Sequence, residues 1–138
     1  MGESLTVEVR NSRDAIAPAS AQAEAWLERH QSPPHVVSLV LLAIEELVTN
    51  CIKYGYNDAG EQTIMVVLSM VDKDLTIEVI DNGRPFDPLA VPGPDLFLEI
   101  EDRPLGGLGI HLLRRLADHM AYERRDGCNW LTLTKRMR

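Results

Sequence analysis

The sequence is poor in aromatic residues, in cysteine and in long apolar runs. Aromatic residues make up 5% of its 138 residues and hydrophobic residues 45%, so we expect one domain, residues 1–138, with an aliphatic core. The two cysteines, Cys51 and Cys128, form no C-x-x-C pair, which leaves a disulfide framework or a zinc site without support. The longest apolar stretch, residues 36–44, is too short to span a bilayer.

Basic residues are also in the minority. Lysine and arginine number 14 against 21 acidic residues, which gives a net charge of -7. A nucleic-acid groove needs a basic face, so we expect no direct nucleic-acid partner. The first residues lack the basic and apolar pattern of a signal peptide, and we therefore expect a cytoplasmic protein without membrane association. ATP remains possible, because a few backbone amides, a lysine and a metal ion can neutralise its phosphates.

Hydrophobic periodicity predicts the order of helices and strands. The helices are expected at residues 18–30, 35–54 and 108–119, and the strands at residues 5–9, 63–71, 75–81, 120–125 and 130–135. The last four strands are predicted to form two hairpins, with turns at residues 72–74 and 126–127. This order favours an α+β two-layer sandwich, with a mixed, mostly antiparallel sheet covered by helices on one face.

A long stretch without periodicity lies between residues 82 and 105. It holds five of the eight prolines: Pro85, Pro88, Pro92, Pro94 and Pro104. Irregular segments of this length are uncommon inside a compact domain and are usually functional or disordered. We therefore expect this stretch to belong to a binding site or to be disordered.

The predicted helix at residues 35–54 carries a polar stripe. Glu46, Asn50 and Lys53 fall one turn apart on the side opposite the main apolar face, with Asn57 beyond them. A carboxylate can accept a proton, an amide oxygen can bind Mg2+, and an ammonium can meet a phosphate. A solvated helix face with side-chain pairs is the alternative interpretation, and the stripe alone does not exclude it.

An aspartate ends an otherwise apolar row on the strand at residues 75–81. Alternation places Asp81 on the same face as Ile77 and Val79, so its carboxylate is expected at the edge of the core. A buried carboxylate needs hydrogen-bond donors, and the exocyclic amino group of adenine is one candidate. Gly83 would let a flat ring approach the backbone. A plain Asn-Gly turn at residues 82–83 is the alternative.

Glycines open the predicted helix at residues 108–119. Residues 106–109 read GGLG, and free amides at a helix start can bind phosphate when glycines permit close approach. The motif matches neither the P-loop nor the dinucleotide fingerprint. A flexible loop-to-helix junction explains it at least as well.

In their order along the chain, these three signals resemble the nucleotide-binding signatures of the GHKL ATPase superfamily. Residues 45–56 (EELVTNCIKYGY) resemble its N box, residues 81–88 (DNGRPFDP) its first glycine box and residues 106–109 its second. The resemblance covers nearly the whole chain. The RPFDP run and the last strand, WLTLTK at residues 130–135, resemble most the anti-sigma factor and serine-protein-kinase branch.

The resemblance implies a Bergerat fold and a role for each matching residue. Glu46 would be the general base, and Asn50 would ligate Mg2+. Lys53 would contact a phosphate. Asp81 would hold the adenine amino group, and Gly83 would make room for the ring.

The second glycine box and the long irregular stretch complete the implied ATP site. Gly107 and Gly109 would face the phosphates, and residues 84–107 would form the ATP lid. Pro85 replaces the second glycine that the first glycine box usually has, which stiffens the loop.

The resemblance also implies a function and partners. Members of this branch transfer phosphate from ATP to a serine of a small STAS-type anti-sigma antagonist and bind a sigma factor, usually as homodimers. The alternatives left open are an ATP-gated protein-binding module without phosphotransfer and a stand-alone ATPase.

Overall fold

The computed structural model describes residues 2–54, 63–90 and 107–137 of the chain. It contains three α-helices and five strands in those ranges, with two short 3-10 helices at Arg13–Ala15 and Pro88–Ala90. In chain order they are β1 (Gly2–Arg10), α1 (Ile16–Arg29), α2 (Pro34–Tyr54), β2 (Thr63–Val71), β3 (Asp74–Asp81), α3 (Gly107–Leu116), β4 (His119–Arg125) and β5 (Cys128–Arg136). Every predicted helix and strand is present, with ends displaced by a few residues.

The five strands form one sheet in the order β1-β2-β3-β5-β4. Each pairing between these strands is antiparallel, so the parallel component that a mixed sheet would contain does not occur in the described ranges. The hairpins β2–β3 and β4–β5 confirm the two predicted turns. At the second turn, Asp126 and Gly127 both have positive φ, at 54° and 77°, as tight hairpin turns commonly require.

The two faces of the sheet differ in burial, as the alternation of residues predicts. On β3 the inner side chains Leu75, Ile77 and Val79 are at most 2% exposed, whereas Thr76 and Glu78 are only partly buried. The three helices lie on the inner face, and α2 packs between α1 and α3. This arrangement confirms the α+β two-layer prediction.

Helix α2 is the central helix of the core. Eight of its 21 residues are buried, and seven of those eight are apolar. By length and composition α2 could also cross a membrane, but the buried core helix of a soluble protein commonly meets the same criterion. Pro34 stands at the first position of α2, where its missing N–H has no effect on the helix hydrogen bonds.

The C-terminal end of α3 is fastened to β5 by three polar contacts. The Lys135 Nζ donates to the Leu116 carbonyl at 2.9 Å, and the Asp118 N–H donates to the Thr134 carbonyl at 2.9 Å. The Arg136 N–H donates to the Asp118 carboxylate at 2.7 Å and lowers the pKa of that carboxyl, with help from the nearby Lys135 and Arg136 charges. These contacts hold the segment between α3 and β4 against β5.

Candidate functional site

A pocket opens where α2 faces the ends of β3 and β5. It encloses about 350 Å3, including the part that is open to solvent. Its walls are largely apolar and come from Leu47, Val79, Phe86, Pro88 and Leu131. The polar lining consists of Asn50, Cys51, Asp81, Tyr122 and Asn129. An apolar cleft with a few convergent polar groups is the usual form of a small-molecule site.

Asp81 is the buried carboxylate of this pocket. It is 5% exposed, and its Oδ1 accepts hydrogen bonds from the Gly83 N–H at 2.9 Å and from the Asn129 Nδ2 at 3.0 Å. Its Oδ2 accepts a hydrogen bond from the Cys51 thiol at 3.2 Å. The protein therefore supplies donors of its own to the carboxylate, and a thiol is the weakest of them.

The thiol of Cys51 is held in its protonated form. Burial, the negative charge of Asp81 and the hydrogen bond to that carboxylate together raise the pKa of the Cys51 thiol well above 9.0. A protonated thiol can donate to Asp81, whereas a thiolate would repel it. Cys51 is therefore a poor nucleophile in this position and acts as a hydrogen-bond donor.

Asn129 is a site residue that the sequence analysis missed. It lies opposite Asp81 in the register of β3 and β5 and is 5% exposed. Its signal in the sequence was the same as that of Asp81: a polar residue at the end of an apolar row, here the row of Leu131 and Leu133 on β5. Read with the strand's alternation, that signal would have identified it.

The residues that follow Asp81 are attached to the sheet and to α2. The Arg124 guanidinium donates to the Gly83 carbonyl at 2.7 Å, and the Arg84 Nε donates to the Tyr54 carbonyl at 2.7 Å. The rings of Tyr54 and Phe86 stack with their centroids 5.0 Å apart. The Asn-Gly pair at residues 82–83 therefore does not form the plain hairpin considered from the sequence.

Helix α2 brings Asn50 into the same pocket as Asp81. Asn50 is 7% exposed, so the polar stripe is not simply a solvated helix face at this position. Glu46 lies one turn earlier on α2 and is partly buried. Burial, and to a smaller extent the charge of Glu45, raises the pKa of the Glu46 carboxyl above its usual 4.5. A carboxylate with a raised pKa is a better proton acceptor near neutral pH.

The first turn of α3 lies against Glu46. A Cβ added at Gly109 would overlap the Glu46 carboxyl group, so any other residue at this position would require that carboxyl group to move. Gly107 begins α3, and its N–H is among those that a helix start leaves without an intrahelical partner. The glycine cluster and the polar stripe of α2 therefore meet in the folded chain.

The sequence model of the histidine kinase-like ATPase domain matches residues 9–135. The chain belongs to this family. The serine/threonine-protein kinase BtrW of Bordetella bronchiseptica is 28% identical over 122 residues, which cover 86% of each chain. The anti-sigma F factor of Thermoanaerobacter sp. is 28% identical over 117 residues, 84% of this chain and 76% of that one. The resemblance to the anti-sigma branch of GHKL ATPases is thereby confirmed.

A solved structure supports the same fold. The RsbU and RsbW domains of Rv1364c from Mycobacterium tuberculosis match with a TM-score of 0.69 and 20% identity. The match covers 98% of this chain but 32% of that longer chain. At this identity the similarity shows the shared fold alone.

The structure of this histidine kinase-like ATPase domain brings some of the seven predicted site residues to the pocket and places others outside it. Asn50 and Asp81 line the pocket, and the Gly83 N–H donates to Asp81. Glu46 and Gly109 contact each other beside α2. Lys53 is exposed and does not line the pocket; its Nζ lies 5.2 Å from the centre of the Tyr54 ring. Asn57 and residues 91–106 of the predicted lid lie outside the described residues.

The described side chains of the pocket offer a metal ion few ligands of their own. Among the described residues, no group of three or more histidine, cysteine or acidic side chains could hold a metal. Mg2+ commonly binds one or two protein oxygens and completes its shell with phosphate oxygens and water. The Asn50 carboxamide, buried at the edge of an apolar pocket, is a suitable single protein ligand of that kind.

Proposed function

We propose that this histidine kinase-like ATPase domain is a protein-serine kinase that transfers the γ-phosphate of ATP to a partner protein. The observation that carries the proposal is the placement of Asn50 and Asp81 in one pocket, with Glu46 one helical turn from Asn50. These positions provide a nucleotide-base acceptor, a metal ligand and a proton acceptor along one side of α2.

Asp81 recognises the base. Its carboxylate is buried at the end of an apolar pocket and accepts the hydrogen bond of the adenine 6-amino group. Gly83 holds the Asp81 carboxylate through its N–H, and the pocket walls formed by Leu47 and Phe86 contact the ring. A purine in this position loses water from both faces while its amino group keeps a hydrogen-bond partner.

Asn50 and the first turn of α3 hold the phosphates. The Asn50 carboxamide oxygen would hold Mg2+, which would supply positive charge against the phosphates. The N–H groups at the start of α3, at Gly107 and Gly109, lie in the turn that lacks intrahelical acceptors and would donate to a phosphate at the helix N-terminus. Lys53 is exposed near the end of α2 and adds a positive charge that a phosphate can approach.

Glu46 accepts the proton of the attacking hydroxyl. The serine oxygen of the partner forms a bond to the γ-phosphorus, the bond from that phosphorus to the β-γ bridging oxygen breaks, and ADP leaves. The hydroxyl proton passes to the Glu46 carboxylate. Most of the acceleration comes from orientation and charge neutralisation, as is general for phosphoryl transfer.

The expected partner is a STAS-type anti-sigma antagonist, and a sigma factor is the expected second partner. The relatives support this part of the proposal by their names, since one is a serine/threonine-protein kinase and another an anti-sigma F factor. We further propose that the protein works as a homodimer in the cytoplasm.

A transfer assay tests the proposal. The full chain is incubated with γ-labelled ATP, Mg2+ and each STAS-type protein of the same genome. Label on a serine of one of them supports a kinase. Tight ATP binding without label on any candidate favours the ATP-gated binding module, and phosphate release without a protein acceptor favours a stand-alone ATPase.

A further inference from the structure

The carboxamide of Asn129 has a fixed orientation in the pocket wall. Its Nδ2 donates to the Asp81 Oδ1 at 3.0 Å and to the Arg84 carbonyl at 2.9 Å. Its Oδ1 accepts from the Tyr122 hydroxyl at 2.5 Å, and from the Phe86 N–H and the Arg124 guanidinium at 3.3 Å each. A carboxylate and a carbonyl only accept hydrogen bonds, and an N–H and a guanidinium only donate, so a flipped amide would lose four of these contacts.

This orientation decides which oxygen of Asp81 is available. The Oδ1 already accepts from the Gly83 N–H and from Asn129 at 2.9 and 3.0 Å. The Oδ2 accepts from the Cys51 thiol at 3.2 Å, and a thiol is a weak donor. Asp81 is therefore held mainly through its Oδ1. Its Oδ2 can accept a further hydrogen bond, next to Cys51 in the pocket lining.

We propose that Asn129 is a positioning residue that sets the preference of the pocket for a purine with an amino group at C6. By holding the Oδ1 of Asp81, it keeps the Oδ2 directed at that amino group. The inference rests on the proposed function, since it assumes that Asp81 binds the base.

Asn129 also fixes the chain segment beside the base. Its contacts with the Arg84 carbonyl and the Phe86 N–H hold the segment that carries the Phe86 wall of the pocket. If Asn129 acted only through these two contacts, its role would be purely structural. Losing them would then weaken every nucleotide equally, because the pocket wall contacts any purine ring.

Two nucleotides separate the positioning role from the structural role. Purine riboside triphosphate carries hydrogen where ATP carries the amino group and is otherwise the same ligand. Calorimetry with Mg2+ measures the affinity of the full chain for both. The wild-type ratio of the two affinities reports the contribution of the amino group.

In Asn129→Ala we expect the affinity for ATP to fall about tenfold more than the affinity for purine riboside triphosphate, which is the lower end for a hydrogen bond to a charged group. Any loss that the two nucleotides share reports the contacts with Arg84 and Phe86. Thr132→Ala, on the opposite face of β5, is the control and should leave both unchanged. If Asn129→Ala does not fold, Asn129→Leu is tested in its place, because leucine fills the buried space, and the same result is expected.

Equal losses for the two nucleotides, or an unchanged ATP affinity, would overturn the positioning role while leaving the proposed function intact. A wild-type chain that binds neither nucleotide would instead contradict the proposed function and this inference with it.

Discussion

Gly109 in the first turn of α3 lies directly against the carboxyl group of Glu46 on α2. The two residues are 63 positions apart in the sequence, and their contact joins the glycine cluster to the proposed general base. Because a side chain at position 109 would occupy the space of the carboxyl group, the geometry of the base depends on this glycine. The first prediction follows from that dependence.

The substitution Gly109→Ala should displace the Glu46 carboxyl group and destabilise the fold by at most about 1 kcal/mol, because that group ends a flexible, partly exposed side chain that can move aside. In a Glu46→Ala background the same substitution should be neutral or stabilising by up to about 1 kcal/mol, since alanine is the better helix former. Urea unfolding of the four proteins measures this coupling. An identical effect of Gly109→Ala in both backgrounds would show that the contact does not matter.

Glu46→Gln keeps the shape of the side chain and removes its ability to accept a proton. Phosphotransfer to the partner should fall by roughly 10²- to 10⁴-fold, the usual contribution of a general base. The dissociation constant for ATP should change by less than about twofold, because the purine and the phosphates keep their contacts. Undiminished transfer in this variant would remove Glu46 from the mechanism.

The transfer rate should rise with pH through the pKa of Glu46, because only the ionised carboxylate accepts a proton. Burial and the charge of Glu45 raise that pKa above 4.5. Glu45→Gln removes the smaller of these causes, so the acidic limb of the kcat/KM profile should move to lower pH while burial keeps it above the usual value. Glu8→Gln on β1 changes the net charge equally and should not move the limb. An unmoved limb in Glu45→Gln would assign it to another group.

Asn50→Ala should weaken ATP binding about tenfold in the presence of Mg2+, the scale on which metal sites respond to lost contacts. With Mg2+ removed by a chelator, the variant and the wild type should bind ATP with similar affinity. Calorimetric titrations under the two conditions distinguish a metal ligand from a residue that merely shapes the pocket. Equal weakening with and without Mg2+ would point to the second role.

Cys51 should react with iodoacetamide at pH 8 more slowly than Cys128, because its raised pKa leaves little of the reactive thiolate. Asp81→Asn removes the negative charge and should speed the labelling of Cys51. Mass spectrometry of the two cysteine peptides gives both rates, and labelling of the denatured chain serves as the reference. A Cys51 that reacts as fast in the native protein as in the denatured one would contradict the buried hydrogen bond to Asp81.

The order of helices and strands and the buried row of β3 were predictable because both follow from the local spacing of apolar residues. Alternation along a strand assigns side chains to one face or the other, and Asp81 was identified as the polar end of such a row. The same alternation on β5 would have identified Asn129, which the sequence analysis missed. That Asn129 lies opposite Asp81 depends on the strand order, which local periodicity does not contain.

The sequence by itself identified the candidate site residues: a carboxylate ending an apolar strand, a polar stripe on the core helix and glycines at a helix start. The tertiary structure decided which of them meet. Only the pairing of β3 with β5 sets Asn129 against Asp81, and only the packing of α3 on α2 sets Gly109 against Glu46. Such contacts depend on distances between segments far apart in the chain, and these distances are fixed by core packing and strand pairing together.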